Sequence, residues 1–321
     1  MLQAQADSGF SGNILIAVGD SVIWRRSYGA QGLALTPRSA FWIASITKSF
    51  TAAAVQKLCG QRRLALDDSL PSFFPDAPAD KRAITVRQLL LHTAGFGSTY
   101  SGGGISTRAA AVKAILSQPL ARTPGSGYQY EDDSYELLGA IVEVVTREPW
   151  DAFVQRELLS PAGLLRTGFW CRRAHSVPLP VAGAHGMSSR CSAHDAGGPG
   201  DDLGHRGANG MSSTLDDLLQ WSHVHATPHA IGFSGPMEVG VPRLLVRREG
   251  DLDVFYSGGA RIYRRGSNVT EVMLSGNGDD GHTSIVRILE SGMTIVVLSN
   301  AGSPGGTTWS SRIAERIAPR G

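Results

Sequence analysis

Alternation of apolar and polar residues marks both ends of the chain. Asn13 to Val18 and Val22 to Tyr28, on either side of Gly19-Asp20, read as a β-hairpin. Toward the C-terminus, Asp253 to Tyr256, Ala260 to Arg264, Val269 to Leu274, Thr283 to Leu289 and Thr294 to Ser299 are β-rich runs broken by Gly, Asn and Ser. Between them the apolar positions follow helical spacing: Thr47 to Gln61, Val86 to His92, Thr107 to Gln118, Ser134 to Thr146, Trp150 to Leu159 and Leu215 to His225. Strands at both ends with helices between predict an α/β (α+β) fold, with one antiparallel sheet closed by both chain ends and a mainly helical lobe beside it. We expect one domain over residues 1–321, its α/β lobe at about 1–60 and 236–321 and its helical lobe at about 61–235. The stretch from Arg172 to Gly207, rich in Gly, Ser, Pro and His, reads as irregular surface. A site is expected in the cleft between sheet and helical lobe.

Ser45-Ile46-Thr47-Lys48 stands where the apolar stretch Phe41 to Ala44 meets the first long helical run. A serine at the first turn and a lysine three residues on share a helical face, so the amine reaches the hydroxyl. Serine is unreactive at neutral pH without a neighbour to take its proton and N–H donors to hold an oxyanion. A helix start supplies such donors. Spacing alone fits an N-cap serine and a solvated lysine equally well. Of the 30 Lys and Arg residues, however, only Lys48, Lys57, Lys81 and Lys113 are lysines. Arginine is the default cation here, and it cannot lose a proton.

Several blocks around and beyond this motif carry a resemblance. They are Phe41 to Phe50, Leu64 to Leu70 with Phe74-Pro75, Ile84 to Gly95, Pro124-Gly125 through Tyr128, Tyr130, Tyr135 and Leu137-Leu138-Gly139, and Arg206 to Thr214 with Asp216-Asp217-Leu218. Together they make the chain similar to the serine β-lactamase and penicillin-binding-protein superfamily, in its class C β-lactamase-like and esterase branch. The resemblance implies a β-lactamase/transpeptidase-like fold and Ser45 as nucleophile with Lys48 beside it. The family's second motif, Tyr-x-Asn, falls on Tyr130-Glu131-Asp132. Its tyrosine implies that Tyr130 shares proton transfer with Lys48. Asp132 departs from the pattern. A carboxylate near Lys48 favours the charged amine and makes Tyr130 the better base. Alternatively, Asp132 caps the helix that starts near Ser134.

The third motif, Lys-Thr-Gly or His-x-Gly in members, falls on Ser275-Gly276-Asn277, with Gly278 as the second oxyanion N–H after that of Ser45. An alternative register is His282-Thr283-Ser284. Ser275 carries no charge, so the usual anchor for a substrate carboxylate is missing. Ser275 and Asn277 become substrate-binding candidates, and Asp132 a tuning one.

Other signals are weaker. Gly276, Gly278 and Gly281 spell Gly-x-Gly-x-x-Gly, but a strand pattern follows where a nucleotide site needs a helix. Ser101 to Gly104 lacks the Lys-Ser/Thr of a phosphate loop and reads as a rim loop. Seven of the nine histidines fall between His175 and His229, without metal-ligand spacing, and His223 and His225 point to different faces of a helix. We expect no metal and no cofactor. A net charge of +2 does not suit a nucleic-acid partner, and no apolar run reaches membrane-spanning length. The start of the sequence shows no basic-then-apolar leader, and Cys59, Cys171 and Cys191 form no metal spacing and cannot all pair. The expectation is a cytoplasmic protein, or a periplasmic or secreted one if a leader has been omitted.

The sequence reading is a serine hydrolase acting through an acyl-enzyme on small-molecule ester or amide substrates, a carboxylesterase first, with oligomeric state open. A β-lactamase or D-alanyl-D-alanine carboxypeptidase is the alternative enzyme. A catalytically silent binding or regulatory protein on the same fold is the alternative of another class.

Overall fold

The computed structural model describes residues 9–29, 34–97, 101–102, 105, 107–169, 206–226, 243–278, 283–301 and 308–319. An eight-stranded antiparallel sheet organises them. Its strands are β1 (Gly12–Val18), β2 (Ser21–Tyr28), β6 (Leu244–Glu249), β7 (Leu252–Ser257), β8 (Ala260–Arg265), β9 (Asn268–Asn277), β10 (Thr283–Leu289) and β11 (Met293–Ser299), in the order β2-β1-β11-β10-β9-β8-β7-β6. β1 pairs with β11 from Gly12↔Ser299 to Val18↔Met293, so the two chain ends close the sheet, as the strand patterns at both ends imply. A small second sheet joins β3 (Phe41–Trp42), β5 (Met211–Ser213) and β4 (Gly168–Phe169). The sequence pattern misses β6, an arginine-rich edge strand, and these two- and three-residue strands, which are too short to show a period.

Alternate residues of β11 face opposite cores. Val296 and Leu298 join the large core, whereas Ile295 and Val297 join a smaller one with Trp309 and Ile313. The latter two belong to the last helix, Trp309–Ile317, which covers one face of the sheet. On the other face lie α1 (Thr47–Gly60) and α7 (Leu215–Ala226), the latter against β1, β10 and β11. The remaining α-helices among the described residues are α2 (Val86–Leu90), α3 (Arg108–Ser117), α4 (Asp133–Thr146), α5 (Trp150–Val154) and α6 (Arg206–Asn209). No helix among the described residues is long and apolar enough to cross a membrane.

α1 is buried nearly all round, through Phe50, Ala52 to Val55 and Leu58. Phe50 stacks on Trp221 of α7, with centroids 4.1 Å apart and planes 11° apart, a pairing worth about 0.5–1.5 kcal/mol beyond the area it buries. The polar residues in its first turns are buried too, and a buried polar group is costly without a partner. Each has one: Thr47 Oγ1 accepts the Met211 N–H at 3.2 Å, Ser49 Oγ donates to the Ile46 carbonyl at 2.7 Å, and Thr51 Oγ1 donates to the Gly207 carbonyl at 2.6 Å. The Thr47 and Thr51 bonds fix the helix start against β5 and α6.

Candidate active site

The chain leaves β3 through Ile43 and turns into α1 by a one-turn 3₁₀ segment, Ala44–Ile46. Ala44 holds a φ of 44°, a left-handed conformation that costs an L-residue energy and is kept only where its surroundings enforce it. Two contacts to the Ile43 carbonyl do so. Ser284 Oγ of β10 donates to it at 2.9 Å, and Gly276 of β9 lies so close that a Cβ there would stand 2.1 Å from that oxygen. Only glycine lets β9 pass at this distance. The turn presents Ser45 half-buried, above a fully buried Lys48.

Lys48 Nζ donates to Ser45 Oγ at 3.0 Å and to the Ala208 carbonyl at 3.2 Å, and it forms an ion pair with Asp132. It also lies 5.1 Å from the centre of the Tyr130 ring, whose outer side is exposed. Burial disfavours the charged amine, but charge interactions and hydrogen bonds with Tyr130 and Asp132 outweigh it and hold the pKa above the ordinary lysine range. The resting group is therefore an ammonium that donates to Ser45. Asp132 occupies the N-cap position of α4 but makes no side-chain capping bond. Glu131 bonds the helix start instead, with Oε2 accepting the Ser134 N–H at 2.7 Å. Of the two partners the sequence offers it, the Asp132 side chain bonds Lys48 and not the helix start.

The third-motif candidates lie at the end of β9. Gly276 abuts Ile43, Asn277 is exposed at the last position of the strand, and Gly278 follows directly. The side chain of Ser275 bears no charge, yet one stands beside it. Arg261 of β8 pairs with Met273, and its guanidinium reaches diagonally to donate to Ser275 Oγ at 3.3 Å. No carboxylate among the described residues forms an ion pair with Arg261. In the alternative register, Thr283 and Ser284 lie in β10, while His282, like Gly281, falls outside the described residues. Of the histidine-rich region, residues 170–205 and 227–242 also fall outside them, and among the described residues no three His, Cys, Asp or Glu side chains gather as a metal site.

Several residues around the site gave no sequence signal as site components. Glu136 of α4 is fully buried and accepts the N–H groups of Gly207 and Ala208, each at 3.1 Å, which sets the Ala208 carbonyl against Lys48. Burial pushes its carboxyl pKa well up, against the two N–H donors. His92, Tyr128 and Tyr256 cluster behind Tyr130. Burial raises the Tyr128 phenol to about 12, opposed by the nearby Arg261 charge. Periodicity marks His92 only as a helix end and Tyr256 only as a strand residue, and long-range contact is what brings them here.

The sequence is 27% identical over 179 residues to a Bacillus subtilis (strain 168) protein named as a penicillin-binding protein, PbpX, a match that covers 54% of this chain and 45% of that protein. It thus spans less than half of that relative's length. Among solved structures, the D-amino acid amidase from Ochrobactrum anthropi SV3, complexed with L-phenylalanine amide, is 20% identical with a TM-score of 0.76, over 98% of this chain and 94% of that one. EstCE1, described as a hydrolase with promiscuous acyltransferase activity, is 21% identical with a TM-score of 0.70, over 94% and 91%. At these identities the two structures share the fold, the β-lactamase/transpeptidase-like one expected from the motifs. Residues 3–316 match the Beta-lactamase family. The chain belongs to the Beta-lactamase family, within the serine hydrolase superfamily.

Proposed function

We propose that the protein hydrolyses esters through an acyl-enzyme formed on Ser45. The observation that carries this reading is the 3.0 Å contact between Lys48 Nζ and Ser45 Oγ at the start of a buried helix. In the first half-reaction Ser45 Oγ bonds to the substrate carbonyl carbon and gives up its proton. With Lys48 held as the ammonium, Tyr130 enters the step as the phenolate, takes that proton to become the phenol, and passes it to the departing alcohol. The N–H groups of Ser45 and Gly278 hold the oxyanion. Water then attacks the acyl-enzyme by the same route in reverse, and Ser45 regains its proton. Asp132 keeps Lys48 charged, and the ammonium favours the negative charge that passes through Tyr130.

A second reading is favoured by Arg261. The uncharged Ser275 argues for neutral esters, but the guanidinium beside it offers a charge-assisted bond to a substrate carboxylate, so amides or peptides with a free carboxylate also suit this wall. Specificity constants for neutral short-chain esters, penicillins, cephalosporins and D-alanyl-D-alanine peptides separate the two. The ester reading requires the highest constant on neutral esters. Turnover of none of them, with Ser45 inert to a fluorophosphonate probe, indicates the silent binding or regulatory protein.

A further inference from the structure

Behind Tyr130 lies a buried histidine to which the proposed chemistry gives no role. His92 follows α2 on a backbone with a φ of 54°. Its ring is bonded on both edges: Nδ1 stands 3.3 Å from Glu131 Oε1, and Nε2 stands 2.8 Å from the Tyr256 hydroxyl of β7. Its carbonyl accepts the Gln129 N–H at 2.9 Å. Glu131 Oε2 accepts from the first turn of α4, a role for a carboxylate, so Oε1 is also an acceptor and Nδ1 carries the proton toward it. Nε2 then accepts the Tyr256 O–H. The Glu131 N–H also points at Nδ1 but would donate to it only in the other tautomer, and at 3.5 Å it is the longer of the two contacts. Burial lowers the imidazole pKa against the raising effect of Glu131, consistent with a neutral ring.

Residues 127–131 belong to neither helix nor strand, so no backbone ladder sets where Tyr130 stands, and Asp132 is bonded by its backbone only on the helix side. His92 supplies what is missing, because it grips this segment by main chain and side chain and fastens it to the sheet through Tyr256. Its ring centre lies 4.6 Å from that of Tyr130, 4.7 Å from Tyr256 and 5.1 Å from Tyr135. We propose that His92 is a positioning residue of the Ser45 site: tied to Glu131 and Tyr256, it holds Tyr130 and Asp132 in register with Lys48. The proposal rests on the reading of Ser45 as the acylated nucleophile. Misplacement of such groups by about 1 Å costs rate far more than substrate affinity.

The test compares His92→Asn, His92→Phe and Tyr256→Phe in kcat and KM for a neutral short-chain p-nitrophenyl ester and in the rate at which a fluorophosphonate labels Ser45. Asparagine tolerates the left-handed backbone and places an amide N–H near the position of Nδ1, whereas phenylalanine fills the space without donor or acceptor. Per folded molecule, His92→Phe is expected to lower kcat and labelling rate by about tenfold or more, with KM within about twofold. His92→Asn recovers most of that loss, and Tyr256→Phe falls between wild type and His92→Phe. If His92→Phe does not fold, Tyr256→Phe carries the test with the same split of kcat from KM. Labelled wild type with wild-type rates in these variants, or equal losses in His92→Asn and His92→Phe, overturns the role of His92 alone. Wild type that is inert at Ser45 overturns the reading of the nucleophile instead.

Discussion

Lys48 and Asp132 form an ion pair that is almost wholly out of solvent, with 1% and 6% of their side chains exposed. Lys48 comes from the first turn of α1 and Asp132 from the N-cap of α4, and the pair sits below Ser45. Taking two charges out of water is costly, and removing one partner of such a pair typically costs about 3–5 kcal/mol. What the pair does to the lysine is decided by sign. Burial alone would free the amine, and Asp132 together with Tyr130 reverses that.

Asp132→Asn keeps a hydrogen-bond acceptor but removes the carboxylate charge, so the Lys48 pKa falls. Without the Asp132 charge the Lys48–Tyr130 unit gives up its first proton, the one the base must lose, more easily, so the acid limb of the kcat/KM profile moves to lower pH in the variant. Parallel pH profiles of the two proteins check this. An unmoved limb shows that the ion pair does not set the proton state of the working enzyme.

Gly276→Ala places a methyl group 2.1 Å from the Ile43 carbonyl if nothing moves. β9 or the Ser45 turn must then shift. Overpacking of this kind costs about 1–3 kcal/mol, and a shift near 1 Å at the nucleophile lowers the rate by about 100-fold. Urea unfolding and ester turnover measure the two effects. Wild-type turnover in Gly276→Ala would show that contact between β9 and the Ser45 turn is unimportant to the chemistry.

Much of this was legible in the chain. The β-alternation of Asn13 to Val18 and Thr294 to Ser299 announced the closing strands, and Ser45, Lys48 and the Tyr130 to Asp132 segment could be placed by motif. The edge strand Leu244–Glu249 escaped because its arginines and exposed positions do not read as a strand. Asp132 read as either cap or partner, since a residue just before a helix suits both roles. Arg261 and His92 could not be found as site residues, because each reaches its partner only through tertiary pairing: Arg261 crosses from β8 to β9, and His92 bridges a helix end, an irregular segment and β7.

Arg261→Leu separates the two substrate readings. If the guanidinium binds a substrate carboxylate, its loss removes a charge-assisted bond worth about 1.5–3 kcal/mol, or roughly 10- to 150-fold in kcat/KM. That loss falls on carboxylate-bearing substrates, and neutral esters change little. The ratio of the two specificity constants in wild type and variant gives the answer. A ratio unchanged by Arg261→Leu assigns the arginine to Ser275 alone.

The proposed chemistry requires a covalent bond to one oxygen atom, Ser45 Oγ. Fluorophosphonate labelling followed by mapping of the modified peptide measures it directly, in wild type, Ser45→Ala and Lys48→Ala. We predict a single adduct on Ser45 in wild type, none in Ser45→Ala with the fold intact, and labelling slowed by orders of magnitude in Lys48→Ala, because residues of one catalytic unit fail together. An adduct on another residue, or equal labelling and ester turnover in wild type and Ser45→Ala, would contradict the account.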